Sequence, residues 1–75
     1  MRSLAHLSPG RRARVLNVPP EHRRLLALGL RPGALVEVLL KAPLGDPLEV
    51  RAGEAFLLVR REEAGKVLVE VLEEA

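Results

Sequence analysis

The sequence has no cysteine and one aromatic residue, and both shortages exclude kinds of site. Without cysteine there is no disulfide, no thiolate metal ligand and no cysteine nucleophile. The single aromatic side chain is Phe56, and the apolar segment around it places it in the core. A single-stranded nucleic-acid platform or a groove for proline-rich peptides needs several exposed aromatic faces. The composition therefore argues against both kinds of binding.

Residues for nucleophilic catalysis are equally scarce. The chain has no threonine or tyrosine, and its two serines, Ser3 and Ser8, lie where a short turn begins and ends. No serine, histidine and acidic residue follow one another in a recognisable order. The glycines fit neither a Walker loop nor a dinucleotide-binding pattern. We therefore predict that the protein is not an enzyme and has no catalytic or cofactor-binding residues.

Nitrogen ligands for a metal are limited to two histidines. His6 and His22 are separated by sixteen positions, and Glu21 or Asp46 could add oxygen ligands. No pair of these residues has the spacing that is typical of a strong site. The sequence therefore predicts at most weak transition-metal binding, with unknown ligands and no resident cofactor.

Long apolar runs are also missing, and charge is unevenly distributed. No run approaches membrane-spanning length and no signal-peptide pattern is present, so we expect a cytoplasmic protein that is not inserted in a membrane. Residues 1–31 carry seven arginines and one acidic residue, whereas residues 32–75 carry five basic and nine acidic residues. The basic part could bind nucleic acid or an acidic protein, or could be a solvated surface. Because aromatic residues are scarce, protein–protein contact is the main class that remains.

Short segments of alternating apolar and polar residues, bounded by glycine and proline, indicate a mainly β protein. We predict one domain over residues 1–75, a small five-stranded barrel, closed or nearly closed. A short helical turn is expected at residues 3–10, and a helix after the first strand at residues 21–28. In the second strand, Leu40 is expected on the core face and Lys41 on the solvent face. The predicted strands are residues 13–18, 34–41, 48–52, 55–60 and 66–72, the core valines are Val15, Val36, Val38, Val50, Val67 and Val69, and residues 73–75 are an acidic tail.

The helix at residues 21–28 is the candidate for a partner-binding surface. Its leucines cover an arc too wide for two helical turns to bury in a small core, so one leucine edge is expected to stay accessible. An exposed apolar edge beside basic groups suits an interface. We therefore predict Arg23, Arg24 and Leu25 as partner-binding residues. The alternative is that Leu25 completes the core and the arginines only face solvent.

Four segments, in register over nearly the whole chain, carry a family pattern. They are L-A-H-L-S-P-G at residues 4–10, R-L followed by L-G-L-R-P-G within residues 24–33, P-L-G-D-P at residues 43–47, and the closing strands within residues 58–69. With these segments the chain resembles the FeoA family, small cytoplasmic accessory proteins of bacterial ferrous iron uptake. One departure is Val59, which stands between Leu58 and Arg60 where many members read L-R directly.

The resemblance implies an SH3-like five-stranded barrel with a helix inserted after the first strand. It also implies a non-enzymatic accessory or adaptor that acts on FeoB, a membrane transporter whose cytoplasmic part binds GTP. We expect no direct nucleic-acid partner, and the oligomeric state stays open. Transition-metal binding, which is often associated with the family, is one alternative function.

A second alternative comes from a related module, the SH3-like C-terminal domain of metal-dependent repressors of the diphtheria-toxin-repressor type. There the module follows a winged helix and a dimerisation domain. The 75 residues contain neither, so a free-standing FeoA-like protein is expected.

The excess of arginine over lysine and the scarcity of asparagine and glutamine are compatible with a thermophilic source.

Overall fold

Residues 1–72, the part that the computed structural model describes, form one six-stranded antiparallel sheet with four short helical segments. The tail expected at residues 73–75 lies outside the described residues. The strands are β1 (Arg2–Ser3), β2 (Arg12–Asn17), β3 (Leu35–Lys41), β4 (Leu48–Ala52), β5 (Ala55–Val59) and β6 (Leu68–Val71). The helical segments are a 3-10 turn at Leu4–His6, α1 (Arg23–Ala27), a 3-10 turn at Pro43–Gly45 and α2 (Arg61–Ala64). The strand order is β1-β6-β2-β3-β4-β5.

The predicted mainly β fold is confirmed, with two elements that the sequence did not predict. The five predicted strands are β2 to β6, and β1 adds a short sixth strand that pairs with β6. Helix α2 forms in a predicted loop, where Glu63 accepts a hydrogen bond from the Arg60 backbone N–H at 3.0 Å and so satisfies the start of the helix. Helix α1 is shorter than predicted because residues 19–22 form a turn, closed by a 3.0 Å hydrogen bond from the His22 N–H to the Pro19 carbonyl.

The core is a single cluster of aliphatic side chains inside the curved sheet. Every predicted core valine is buried, whereas Val71 near the end of β6 is only half-buried. Leucines complete the cluster at its ends: Leu4 and Leu7 from the N-terminal turn, and Leu25 and Leu30 from α1 and the residues after it. Burying a valine or leucine side chain stabilises a fold by about 1.5–3 kcal/mol. The barrel therefore depends on nearly all of these residues, because so small a domain has little other apolar surface to bury.

A β-bulge changes the expected orientation of two residues in β3. The pairing of β3 with β4 shifts between Val38 and Leu40, so that Leu40 lies opposite Glu49 on the outer face and is 57% exposed. Lys41 then turns inward, half-buried, and its ammonium Nζ donates to the Ala5 carbonyl at 2.9 Å. The predicted orientations of Leu40 and Lys41 were therefore wrong, because one extra residue exchanges the two faces of a strand.

The sheet has two end strands, β1 and β5. Within residues 1–72 these strands are not paired with each other, so backbone hydrogen bonds do not close the barrel completely. Helices in this part of the chain are all too short to span a bilayer. An open edge on β5 matters for the site, because α1 lies next to it.

Candidate functional site

Helix α1 is held in place by its C-terminal end. The Leu30 N–H donates to the Leu25 carbonyl at 2.9 Å and the Gly29 N–H donates to the Leu26 carbonyl at 3.2 Å. This is the Schellman arrangement, and it needs a residue with positive φ, which Gly29 supplies at 107°. Its usual apolar contact joins Leu25 and Leu30, and both side chains are completely buried. The end of the helix therefore decides which leucine faces the core.

Leu25 lies in the core and offers no surface to a partner. Its side chain is 0% exposed, whereas Leu28, one turn further along α1, is 44% exposed. The predicted accessible leucine edge therefore exists, but Leu28 forms it and Leu25 does not. Leu25 contributes to any surface on α1 only by fixing the helix to the barrel.

Arg24 is a cross-link between α1 and the opposite end of the chain. Its Nη2 donates to Glu63 Oε1 at 3.0 Å and more weakly to the Leu58 carbonyl at 3.4 Å. The same Glu63 oxygen accepts the Arg60 N–H that starts α2. One carboxylate therefore joins α1 to α2, and the Leu58 contact places α1 beside β5.

The pair formed by Arg24 and Glu63 is expected to stabilise the fold measurably. A double-mutant cycle with Arg24→Gln and Glu63→Gln should give a coupling energy of about 0.5–1 kcal/mol, the upper range for a partly exposed pair. Urea unfolding of the four proteins measures it. The control cycle uses Arg14 and Glu70, whose charged atoms are 3.8 Å apart on exposed strand positions, and should give nearly zero. Equal coupling in the two cycles would show that Arg24 is not a structural cross-link.

Arg23 differs from Arg24 because its charge is not used by the fold. Its side chain is exposed, and within residues 1–72 its guanidinium makes neither a hydrogen bond nor an ion pair. Of the three predicted partner-binding residues, Leu25 is in the core and Arg24 is in an ion pair. Arg23 has neither structural role within residues 1–72.

Strand β5 adds two exposed apolar side chains that the sequence analysis did not predict. Phe56 is 68% exposed and Leu58 is 60% exposed, so the expectation of a core position for Phe56 was wrong. In the β4–β5 hairpin Phe56 pairs with Arg51, which faces outward, and Leu57 pairs with the buried Val50. The alternation of polar and apolar residues in β4, carried across the tight turn at residues 53–54, could have predicted this.

One contact shows that α1 lies beside β5, because Arg24 Nη2 donates to the Leu58 carbonyl at 3.4 Å. The residue after the helix end, Gly29, approaches β4, where the position of a Cβ on Gly29 would be 3.9 Å from the Ala52 carbonyl oxygen. The large exposed side chains in this region are Arg23 and Arg24 of α1, Leu28 directly after the helix, and Phe56 and Leu58 of β5. We name these five residues the α1–β5 surface. Apolar groups bordered by arginine are typical of protein interfaces, because the apolar groups exclude water and the charges orient the partner.

The turn at residues 43–47 is anchored by Asp46 and exposes Leu44. Asp46 Oδ1 accepts the Arg61 backbone N–H at 3.0 Å and lies 3.5 Å from Arg60 Nε. Leu44 is 93% exposed and has φ of 69°, a left-handed conformation that costs leucine about 1–2 kcal/mol. Core packing does not explain a leucine at this position, so the turn adds a second exposed apolar feature next to α2.

The histidines do not form a metal site with the other described residues. His6 Nδ1 is 2.7 Å from Ser3 Oγ, and His22 Nε2 is buried without a hydrogen-bond partner in the described part of the chain. Within residues 1–72, no group of three or more histidine, aspartate or glutamate side chains is arranged to hold a metal ion. The residues predicted as possible ligands, Glu21 and Asp46 included, therefore do not fit a resident metal.

Known proteins resemble this chain in sequence and in fold. The sequence model of the FeoA domain matches residues 2–71. The solution structure of the FeoA protein from Chlorobium tepidum is 44% identical, with a TM-score of 0.87 over 95% of this chain and 70% of that one. The zinc complex of FeoA from Stenotrophomonas maltophilia, described as a prokaryotic SH3 domain protein, is 31% identical, with a TM-score of 0.80 over 93% of this chain and 91% of that one. A manganese-dependent transcriptional repressor is 19% identical, with a TM-score of 0.84 over 95% of this chain and 41% of that one, and shares the fold alone.

The fold and these likenesses define a small SH3-like domain whose exposed features suit recognition. The chain belongs to the FeoA family, and with it to the proteins of ferrous iron uptake. It is a non-enzymatic accessory protein, as the scarcity of catalytic residues predicted.

Proposed function

We propose that this single FeoA-like domain is a cytoplasmic adaptor that docks on the cytoplasmic, GTP-binding part of a FeoB-like membrane transporter. Membership of the FeoA family supports the system in which it acts. The observation that carries the docking role is the α1–β5 surface, where Phe56 and Leu58 are more than half exposed beside arginines. Isolated apolar residues are common on protein surfaces, but neighbouring ones bordered by arginine are typical of interfaces.

Within this surface the three residues predicted from the sequence have different roles. Arg23 contacts the partner through its unpaired charge, Arg24 is shared between the fold and the interface, and Leu25 supports the helix from the core. The expected partner region is acidic, because the two arginines border the apolar groups. The proposal includes no resident metal, since the described histidines and carboxylates do not converge.

Arg23→Glu is the substitution that tests the proposed contact without disturbing the fold. We expect it to weaken binding to the cytoplasmic part of the transporter by about fivefold, mainly through slower association, with a larger difference at low salt. Surface plasmon resonance at two salt concentrations, with the transporter fragment in its GDP and GTP-analogue states, measures the change. Wild-type protein that binds in neither nucleotide state would contradict the adaptor function itself.

Lys66→Glu is the matched control for this experiment. It makes the same change in net charge at an exposed position whose side chain has no partner in residues 1–72. If it weakens binding as much as Arg23→Glu does, the effect comes from net charge, and α1 is not part of the interface.

A further inference from the structure

The N-terminal segment encloses a polar cleft on the side of the molecule where β6 ends. Its volume is about 250 Å³, small for an organic ligand but sufficient for a compact ion. The residues that line it are Arg2, His6, Leu7, Ser8, Arg11 and Val71. Most of them carry hydrogen-bond donors, and none of those described is acidic. The cleft is therefore a place where positive charge and N–H or O–H groups converge.

The backbone that carries these donors is firmly attached to the sheet. The Leu4 N–H donates to the Val67 carbonyl at 2.8 Å, and the Gly10 N–H donates to the Val38 carbonyl at 2.7 Å. The Arg11 N–H, directly after Gly10, closes a turn on the Ser8 carbonyl at 3.1 Å. Because both ends of the segment are held, its side chains are presented from a preorganised frame, which lowers the entropic cost of binding.

The charge of Arg2 in the cleft is not neutralised by a carboxylate of residues 1–72. The first acidic residue in the sequence is Glu21, and four arginines precede it. Within residues 1–72 the Arg2 guanidinium has neither an ion pair nor a hydrogen bond, unlike Arg14, Arg24, Arg51 and Arg60, which each face a carboxylate. Arg11 does have an interaction partner, but a guanidinium has several N–H donors and can bind an anion as well.

His6 is oriented for the same purpose. Its Nδ1 is 2.7 Å from Ser3 Oγ, which fixes the imidazole ring. When the Ser3 hydroxyl donates to Nδ1, the ring hydrogen is on Nε2, and Nε2 is the nitrogen that remains for a ligand. In that tautomer the ring adds an N–H donor to those of the arginines. The same arginines would repel a metal cation from this histidine.

We propose that this cleft binds a phosphate group. Phosphate presents oxygens in several directions, which suits a cleft lined by donors from four residues, Arg2, His6, Ser8 and Arg11, whereas a carboxylate has oxygens on one side only. Arginine also binds phosphate oxygens in a bidentate manner. The phosphate can be the free ion or the headgroup of an anionic lipid. This site is separate from the α1–β5 surface and does not depend on the proposed partner.

The test is a titration of the ¹⁵N-labelled full chain with sodium phosphate, compared with sodium chloride at equal ionic strength. We expect saturable shifts of the backbone amides of Arg2, His6, Ser8 and Arg11 with phosphate only. Arg2→Gln should weaken binding about tenfold, since it removes charge-assisted hydrogen bonds. The control Arg31→Gln removes the same charge outside the cleft and should change the affinity less than about twofold. His6→Gln provides a second variant inside the cleft and should also weaken binding.

The source of the phosphate is distinguished by co-sedimentation with vesicles of phosphatidylcholine, with and without phosphatidylglycerol. A lipid headgroup as ligand predicts binding to the anionic vesicles that Arg2→Gln weakens and inorganic phosphate competes away. A free ion predicts the NMR response without vesicle binding. The proposal is overturned if phosphate gives no saturable shifts and, in addition, vesicle binding is either absent or unchanged in Arg2→Gln. It is also overturned if Arg2→Gln and Arg31→Gln have the same effect on binding.

Discussion

Replacing Leu25 with glutamine is expected to lower the free energy of unfolding by about 3 kcal/mol or more, which is much of the stability of a domain this small. Leu25 is completely buried in the same apolar cluster as Leu30, at the end of α1. Glutamine would lose this apolar contact and would also bury an amide with no partner, and each effect is destabilising. Urea unfolding followed by circular dichroism measures the loss, and partial unfolding at room temperature would agree with it.

The matched control is Leu28→Gln on the same helix. Leu28 is 44% exposed, so the same chemical change should alter stability by less than about 0.5 kcal/mol. If the two variants are equally stable, Leu25 is not a core residue. The interpretation that Leu25 completes the core would then be wrong. A binding defect of Leu25→Gln has no bearing on the interface unless the variant is shown to be folded.

The strands were predictable where β-branched residues alternate with charged ones. Val36 and Val38 flank Glu37 in β3, and Val69 and Val71 flank Glu70 in β6. The core face of β6, and of β3 up to its bulge, therefore follows from period two alone. In β5 all five residues are apolar, and no alternation exists to choose a face. The register of the hairpin with β4 decides, because the turn at residues 53–54 places Phe56 opposite the outward-facing Arg51.

The bulge in β3 and the role of Arg24 were not predictable for a different reason. Both depend on residues that are distant in the sequence: the bulge on the register with β4, and Arg24 on Glu63, which is 39 positions further along. Similarly, residues 25, 26 and 28 are all leucine, and only the Schellman end of α1 shows which of them is buried. Periodicity reports on local geometry, whereas these features are set by tertiary contacts.

The segments that resemble the FeoA family turn out to carry structural contacts. Arg24 binds Glu63, Asp46 binds the start of α2, and Gly29 ends α1. These residues of the family pattern therefore stabilise the barrel. The proposed docking role uses exposed side chains that core packing does not explain, namely Arg23 on the helix and Phe56 and Leu58 on the edge strand.

A double variant, Phe56→Ser with Leu58→Ser, is expected to weaken binding to the cytoplasmic part of the transporter by about thirtyfold or more. Both side chains are more than half exposed, next to arginines, and buried aromatic and aliphatic anchors beside arginine contribute most of the energy of an interface. Isothermal titration calorimetry measures the affinity. Loss of apolar burial should also make the heat-capacity change of binding less negative than in the wild type.

The fold should tolerate this double substitution, since neither side chain is part of the core. The control is Leu35→Ser on β3, a leucine that is 54% exposed, pairs with Arg14 and is not part of the α1–β5 surface, and we expect it to bind like the wild type. Unfolding by urea should be similar for all three proteins. If the wild type binds and the double variant binds as tightly, the transporter docks elsewhere on the domain. The turn at residues 43–47, with the exposed Leu44, is then the next surface to test. If Leu35→Ser is equally defective, the contact is a diffuse apolar one and the α1–β5 surface has no special role.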